Sequence, residues 1–487
     1  MNKFFQTIRS LYAVLLFFLL SISGKGFAQS FTVGNLNYSV NDDGLTVTVT
    51  GHVDGTNASG TLVIPDSVTF AETSYRVTKI DDFAFYDCAG FNGSLTIGKF
   101  VTTIGRAAFY GCKGFNGSLS LDESVSTIKN EAFRGCSGFN GSLVIGDLVT
   151  TIGNDAFGFC YRFNGPLIIG NSVTTIGDHA FSDCYGFDTL TLGNSVTTID
   201  DYAFAHCSGF KGSLTIGDSV TTIGEGAFYE CSGFDGSLTI GSSVVSIGNH
   251  AFYNNCGFTG NLVIPNSVTD IGQGAFKYCV GFDGLTMGGS VSTIGNYAFS
   301  SCYGFAGELF IPNSVIVIGA FAFEDCAGLD SLLSIGNSVT TIKQGAFFEC
   351  RFDSIVSLAE TPPTLEDMTF YGVPGVTLTV PCGCVSAYET SAWHDHYISF
   401  LDDCASLTED DEQAVPVYPN PTSGIILIKA EGLRRVSIFN TIGQQVYDGQ
   451  ADGNVFEYDL SNHEAGIYLI QIETISGIAT KRVVLTK

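Results

Sequence analysis

Twelve phenylalanines at a near-constant interval constrain this chain more than anything else in it. The Phe of an Ala-Phe pair falls at 85, 109, 133, 157, 181, 204, 228, 252, 276, 299, 323 and 347. Nine of the eleven steps are 24 residues and two are 23. A fixed period of that size belongs to a stacked array, in which each unit buries its apolar face only against its neighbours. A full copy reads Ser213-Leu214-Thr215-Ile216-Gly217-Asp218-Ser219-Val220-Thr221-Thr222-Ile223-Gly224, then Ala227-Phe228 and Cys231.

Within a coil the tract Phe-x-x-Leu-x-Leu is plainest at the shorter period, as Phe187-Asp188-Thr189-Leu190-Thr191-Leu192. Most coils add a Gly-containing residue, as in Phe91-Asn92-Gly93-Ser94-Leu95-Thr96-Ile97. Strand alternation turns Leu95 and Ile97 inward and Thr96 outward. A Gly or Pro then turns the chain, and Val101 and Ile104 point inward. Ala108-Phe109-x-x-Cys112 closes the coil in a short helical or irregular turn. The outward strand positions are Thr96, Ser120, Val144, Ile168, Thr191, Thr215, Thr239, Val263, Thr286, Phe310 and Ser334. Strands stacked about 4.8 Å apart would make them one ribbon roughly 50 Å long. It is rich in small hydroxyls, with apolar patches at Val144 and Ile168 and at Val263 and Phe310. This ribbon is the candidate ligand face, because repeat arrays supply extended surfaces.

Of 15 Cys, twelve lie one per coil, at 88, 112, 136, 160, 184, 207, 231, 256, 279, 302, 326 and 350. Eleven sit three residues after the repeat Phe, and Cys256 sits four after Phe252. Copies in stacked coils lie about 5 Å apart, beyond the ~3.8 Å Cβ separation of a disulfide. The spacing therefore predicts a column of small buried thiols. No His is interleaved in register, which argues against a metal ladder. Cys382, Cys384 and Cys404 stand outside the column; one pair of them can bridge in an oxidising compartment, leaving an odd thiol.

The N-terminus reads as an export signal over residues 1–28. Lys3 and Arg9 precede the apolar run Leu11 to Leu20, and Gly26-Phe27-Ala28 offers a small-residue cleavage site before Gln29. Residues 29–79 are strand-like, with the alternating Leu45-Thr46-Val47-Thr48-Val49-Thr50, and read as an N-terminal cap. The solenoid of about 12 repeats covers 80–360. A closing cap covers 361–404, with a degenerate Phe site at Phe370 and the sole Trp, Trp393. Residues 405–416 are an acidic linker. Residues 417–487 lack Cys and carry short alternating strands, which suggests a small β-sandwich.

The repeat pattern resembles the BspA-like leucine-rich repeats of bacterial surface proteins, a Cys-containing class, over residues about 60 to 400. The extra Gly-containing residue departs from that 23-residue pattern. At the C-terminal end, Pro419-Asn420-Pro421-Thr422-Ser423-Gly424, the Gly466-Ile467-Tyr468 strand and the basic Lys481-Arg482 strand resemble the sorting domain of the type 9 secretion system. The two resemblances imply a β-rich leucine-rich-repeat solenoid followed by an Ig-like β-sandwich. They imply a Bacteroidota-type source, passage through the outer membrane to the cell surface, and adhesion as the role. They also imply that the type 9 machinery handles 417–487, with removal of that domain and attachment to surface lipopolysaccharide.

The net charge of −27, from 48 acidic and 21 basic residues, disfavours nucleic acid as a partner. No catalytic constellation, phosphate loop or cofactor motif is present. His179 and His250 occupy a variable surface site shared with Ala107, Glu131 and Asp155. His394-Asp395-His396 could face both imidazoles one way from a strand, without an evident third metal ligand. Asp42-Asp43 and Asp81-Asp82 read as exposed turns. The sequence thus points to a surface protein binding host matrix or other bacteria. The alternative is a glycan-binding or nutrient-capture module, with Tyr110, Tyr185, Tyr229, Tyr253 and Tyr303 as the stacking residues.

Overall fold

The computed structural model describes residues 29–121, 124–396, 399–403, 415–420, 422, 424–440, 445–463, 466–475 and 477–485. The expected signal segment, most of the expected linker and Cys404 lie outside these residues. The chain divides into two units, Met1–Asp402 and Asp403–Lys487.

In the first unit each coil has three sides, and each side bonds to the next coil in its own way. One side is a strand of only two residues, from Thr103–Ile104 to Thr364–Leu365. Successive copies pair in parallel register, as Thr127 on Thr151 and Ile128 on Ile152. β-Branched Thr and Ile suit a strand that is buried on one face only. A hydroxyl just before the strand reinforces it: Thr174 donates to the Thr150 carbonyl at 3.1 Å and Thr221 to the Thr197 carbonyl at 3.2 Å. These strands join five from the N-terminal end, including Thr46–His52 and Thr73–Ile80, in one 17-stranded sheet.

The second side carries the Leu-x-Ile tract. Its strands pair in parallel too, but the pairing is segmented. Gly60–Val63 pairs with Phe91–Thr96, and Leu119–Leu121 runs on through Leu143–Ile145 and Leu167–Ile169 to Leu190–Thr191. Leu214–Thr215 pairs with Leu238–Thr239, and Gly260–Ile264 with Phe282–Met287. A five-stranded group runs from Leu309–Ile311 to Phe400–Asp402. The expected single ribbon is therefore five hydrogen-bonded pieces. At each joint a bond survives where the tract begins, as Lys211 N–H to Asp188 at 2.8 Å and Thr259 N–H to Gly236 at 2.9 Å. A Gly at positive φ lies at each of these joints: Gly117, Gly212, Gly260 and Gly307.

The third side holds the Ala-Phe pair. It is not helical: among the described residues the one α-helix is Val385–Glu389, and Gly55–Asn57 and Ala392–Asp395 are 3-10 turns. Residues two before and two after each Phe adopt positive φ, as Asp155 at 55° and Phe159 at 61° around Phe157. Alternate N–H groups then point to the next coil. Asp155, Phe157 and Phe159 each donate at 2.8 Å, to Asp178, Ala180 and Ser182. The N–H groups between them close local turns, such as Cys160 to Phe157 at 3.2 Å. The left-handed residues cost on the order of 1 kcal/mol each where they are not Gly, and the completed backbone bonds offset that cost.

Two aromatic columns fill the interior. Thirteen rings from Phe85 to Phe370 stack nearly parallel, with centroids 5.0 to 5.5 Å apart. A second column runs from Phe91 through Phe163 to Phe305, spaced 5.0 to 6.5 Å. Burying each ring is worth about 1.5–3 kcal/mol, and each offset stack about 0.5–1.5 kcal/mol more. At the far end Trp393 packs on Phe370 and donates its indole N–H to the Pro363 carbonyl at 2.8 Å.

The cysteines are tied to the first column. The Cys88 thiol of the first coil donates to the Gly55 carbonyl at 3.2 Å, and from Cys112 on the thiol donates to the Phe carbonyl of the coil before: Cys112 to Phe85 at 3.0 Å, Cys136 to Phe109 at 2.9 Å, Cys231 to Phe204 at 2.9 Å. One position breaks the rule and corrects the sequence reading. In the Phe252 coil the buried slot holds Asn255, whose amide donates to Phe228 at 2.7 Å. Cys256 stands one residue on and is exposed. Asn255 is 1% exposed and its Oδ1 has no partner. Cys382 is disulfide-bonded and Cys384 is a free thiol.

The second unit is an antiparallel β structure. Ile425–Asn440 lies between Gln445–Asp459 and Gly466–Thr474, and Gly477–Leu485 pairs outside the latter. Its own core holds Ile426, Ile428, Val436, Ile438, Ile470, Ile472 and Val483.

Two substitutions test this account by urea unfolding followed by circular dichroism. Phe157→Ala should cost about 3–5 kcal/mol through the lost ring and its cavity; a cost below about 1 kcal/mol would show that the column does not hold the coils. Asn255→Cys should stabilise by about 1–2 kcal/mol, because it removes an unsatisfied buried carbonyl and restores the thiol donor.

Candidate interaction surfaces

On the Leu-x-Ile side, the strand alternation sends one residue per coil outward. The register places Ser120, Val144, Ile168 and Thr191 in one row, Thr215 beside Thr239, Val263 beside Thr286, and Phe310 beside Ser334. Thr96 pairs with Val63, an outward residue that the sequence reading omitted. Nine of the eleven expected residues are exposed; Val144 and Ser334 are half-buried. Ile168, Val263 and Phe310 expose 38%, 47% and 47% of their surface, large values for apolar side chains. Thr96 and Ser120 also line a shallow depression with Ser118, Ser124 and the Lys99–Asp66 ion pair, which is 3.0 Å long.

The Phe side carries a second patterned surface. The positions of positive φ around each Phe include His179 and His250, both half-buried, as well as the buried Ala107 and Ser301. Tyrosines one or four residues after the repeat Phe stack on one another between neighbouring coils. Tyr229 and Tyr253 lie face to face at 4.7 Å, Tyr86 and Tyr110 at 4.9 Å, and Tyr161 and Tyr185 at 5.5 Å. Four of the five expected sugar-stacking tyrosines thus spend a ring face on another tyrosine. Tyr303 is 52% exposed. His179 stacks on Tyr202 at 5.1 Å, and the Tyr202 hydroxyl donates to Glu225 at 2.7 Å. The alternation of turn bonds that orients this side left no hydrophobic period in the sequence; the recurrence of Gly, Asp, Asn and His two residues from the Phe was the available signal.

Among the other described polar residues, His250 buries its Nδ1 without a hydrogen-bond partner. His394 and His396 lie in and just after a 3-10 turn rather than on a strand, near Phe400 and Phe370 respectively. Burial lowers the His396 pKa. Asp43 accepts from the Leu45 and Thr46 N–H groups, both at 2.9 Å, which hold its carboxyl below the usual range. Asp82 accepts from the Arg106 N–H at 2.8 Å. Among the described residues no group of three His, Cys, Asp or Glu is placed to hold a metal ion.

Comparison with known proteins bears on the same two units. The model of the BspA type leucine rich repeat region matches residues 66–185, 150–282, 210–330 and 245–377. The model of the secretion system C-terminal sorting domain matches residues 416–486. Among solved structures, a leucine-rich repeat protein from Bacteroides ovatus is 23% identical with a TM-score of 0.53, over 76% of this chain and 99% of that one. A leucine rich cell surface protein from Faecalibacterium prausnitzii is 28% identical with a TM-score of 0.43, over 66% of this chain and 92% of that one. No curated protein matches the sequence.

The thiol column offers no nucleophile, because only a thiolate attacks and burial disfavours it. Burial pushes Cys160 and Cys326 up to about 12. A thiol reagent at pH 8 should label Cys256 rapidly in the folded protein and the half-buried Cys384 more slowly. The eleven column thiols should react only after denaturation, as peptide mapping would reveal. Rapid native labelling of Cys160 would contradict the closed column.

Proposed function

The chain belongs to the BspA-type leucine-rich-repeat family and ends in a type 9 sorting domain that directs it to the cell surface or out of the cell, and on that premise we propose that it is an adhesin for protein ligands. The ligands are matrix proteins of a host or surface proteins of other bacteria. The observation that carries this reading is the in-register outward row with exposed apolar residues at Ile168, Val263 and Phe310. Large apolar side chains recurring along one strand face give a repeat array an extended surface for a protein partner. Hydroxyls at Thr191, Thr215, Thr239 and Thr286 between them supply hydrogen bonds without strong desolvation cost. Contacts that are each weak gain strength by repetition along the coils and by display of many copies on one surface.

The alternative glycan reading needs open aromatic faces for sugars to lie on. The mutual stacking of Tyr229 with Tyr253, and of Tyr161 with Tyr185, weighs against it.

Binding of the full chain to immobilised matrix proteins and to bacterial surface extracts, beside a glycan array, tests the proposal. The triple variant Ile168→Ser, Val263→Ser, Phe310→Ser should weaken protein binding at least tenfold. Val245→Ser, which removes an exposed apolar residue from another side, should leave it unchanged. Binding confined to the glycan array, or equal loss in both variants, would refute the assignment.

A further inference from the structure

The Leu-x-Ile side begins with a strand whose outer edge is open. Along this side the Leu and Ile of a tract bond forward: the Leu214 and Ile216 N–H groups donate to Ser237 and Thr239 of the next coil, both at 2.9 Å. Gly60–Val63 is the first such strand, and the chain there bonds forward too, as Ile64 N–H to Thr96 at 2.9 Å. Successive residues of a strand in a parallel sheet turn their N–H and C=O to opposite neighbours. The Val63 N–H and C=O therefore face backward, where among the described residues Gly60–Val63 has no paired strand. An open edge of this kind is a template for another chain.

Behind that edge lies a depression of about 540 Å³, whose lining residues all fall between Val33 and Thr69. Leu36, Leu62 and Val68 give it apolar walls, and it holds no Asp, Glu, Lys or Arg. Two buried polar side chains line it as well: Tyr38 is 2% exposed and the His52 side chain 6%. His52 Nδ1 accepts from the Asp54 N–H at 3.1 Å, which in the neutral ring leaves the proton on Nε2. Among the described residues neither that Nε2 nor the Tyr38 hydroxyl has a hydrogen-bond partner in the chain. Both rings are nonetheless packed, Tyr38 on Phe31 at 5.4 Å and His52 edge-on to Phe91 at 5.9 Å. Burial pushes the Tyr38 pKa up to about 12, so the hydroxyl keeps its proton as a donor. Donors held in a pocket without acceptors favour an occupant that supplies them.

We infer that an extended segment of a protein partner adds to the Val63 edge as a further strand, and that this segment is uncharged and alternates aliphatic with hydroxyl residues. That is the chemistry that covers the same edge further along, where Leu214–Thr215 pairs with Leu238–Thr239. Main-chain bonds to Val63 hold the segment, its aliphatic side chains lie on Leu36, Leu62 and Val68, and Tyr38 and His52 donate to its oxygens. A depression without charges disfavours a charged segment, whose ions would lose water and find no counter-ion. The site rests on the adhesin reading only in taking a protein partner, and it uses none of Ile168, Val263 and Phe310.

Fluorescence anisotropy of the full chain with a labelled peptide Gly-Ser-Leu-Thr-Ile-Gly, a copy of residues 212–217, tests the inference. Val63→Pro removes an N–H on the open edge only; it should weaken binding at least tenfold while the thermal unfolding midpoint stays within a few degrees. Tyr38→Phe, which keeps the ring, should weaken binding about threefold. A copy of the peptide N-methylated at every residue should not bind, since it cannot pair as a strand. Binding by that copy, no detectable binding of the unmethylated peptide, or unchanged binding by either folded variant would each overturn the inference. Self-association of the chain that Val63→Pro abolishes would also overturn it, by placing a second copy on the edge. The variant Ile168→Ser, Val263→Ser, Phe310→Ser should bind the hexapeptide as the parent does, so failure of this site and failure of the outward row are read separately.

Discussion

The bond from the column cysteine's thiol to the phenylalanine carbonyl one coil back is the contact on which the array turns. That carbonyl lies inside the stack, beside two aromatic columns, where water cannot reach it. Phe109 meets it with the N–H of Cys112 at 3.1 Å and the thiol of Cys136 at 2.9 Å. A small donor of fixed reach can do this only if every coil presents the same backbone at the same height. The demand for uniform coils follows, and with it the near-constant period. A hydroxyl would satisfy the carbonyl equally well but would bring a polar oxygen that wants partners of its own. Sulfur donates weakly, packs as an apolar atom and asks for little in return.

The repeat and its buried columns were legible because they leave a period in the sequence: Phe, Cys, Val and Ile return at fixed offsets. The outward row was legible for the same reason, through strand alternation. Three things were not. The short Thr-Ile strands form the unbroken sheet, although two residues are too few to give a strand pattern. The Leu-x-Ile side, where alternation is clear, is the segmented one, because pairing along it depends on glycine geometry at each joint. The Phe side hides its regularity altogether: backbone handedness, not side-chain polarity, repeats there. Glu131, Asp155, His179, Tyr202 and Phe321 share a conformation and little else.

Cys256 shows how composition can mislead. Counting cysteines assigns it to the column; the geometry assigns Asn255, since the next phenylalanine, Phe258, still follows Phe252 by six residues, as Phe234 follows Phe228. No residue was inserted, so the slot three positions after the Phe belongs to the amide. The sulfur is left facing solvent at a place where other coils carry Lys113, Tyr185 or Tyr303.

The amide in that slot has a mechanical meaning. A rod of equivalent rungs has no preferred breaking point, and tension along its axis is shared evenly. Here one junction, between the coils of Phe228 and Phe252, is held by a donor whose other end is left wanting, and the strand pairing on the Leu-x-Ile side also lapses there, between Leu238–Thr239 and Gly260–Ile264. The same lapse recurs before Leu119, Leu214 and Leu309, so what sets this junction apart is the buried amide oxygen alone, and through it the coils on either side are not interchangeable.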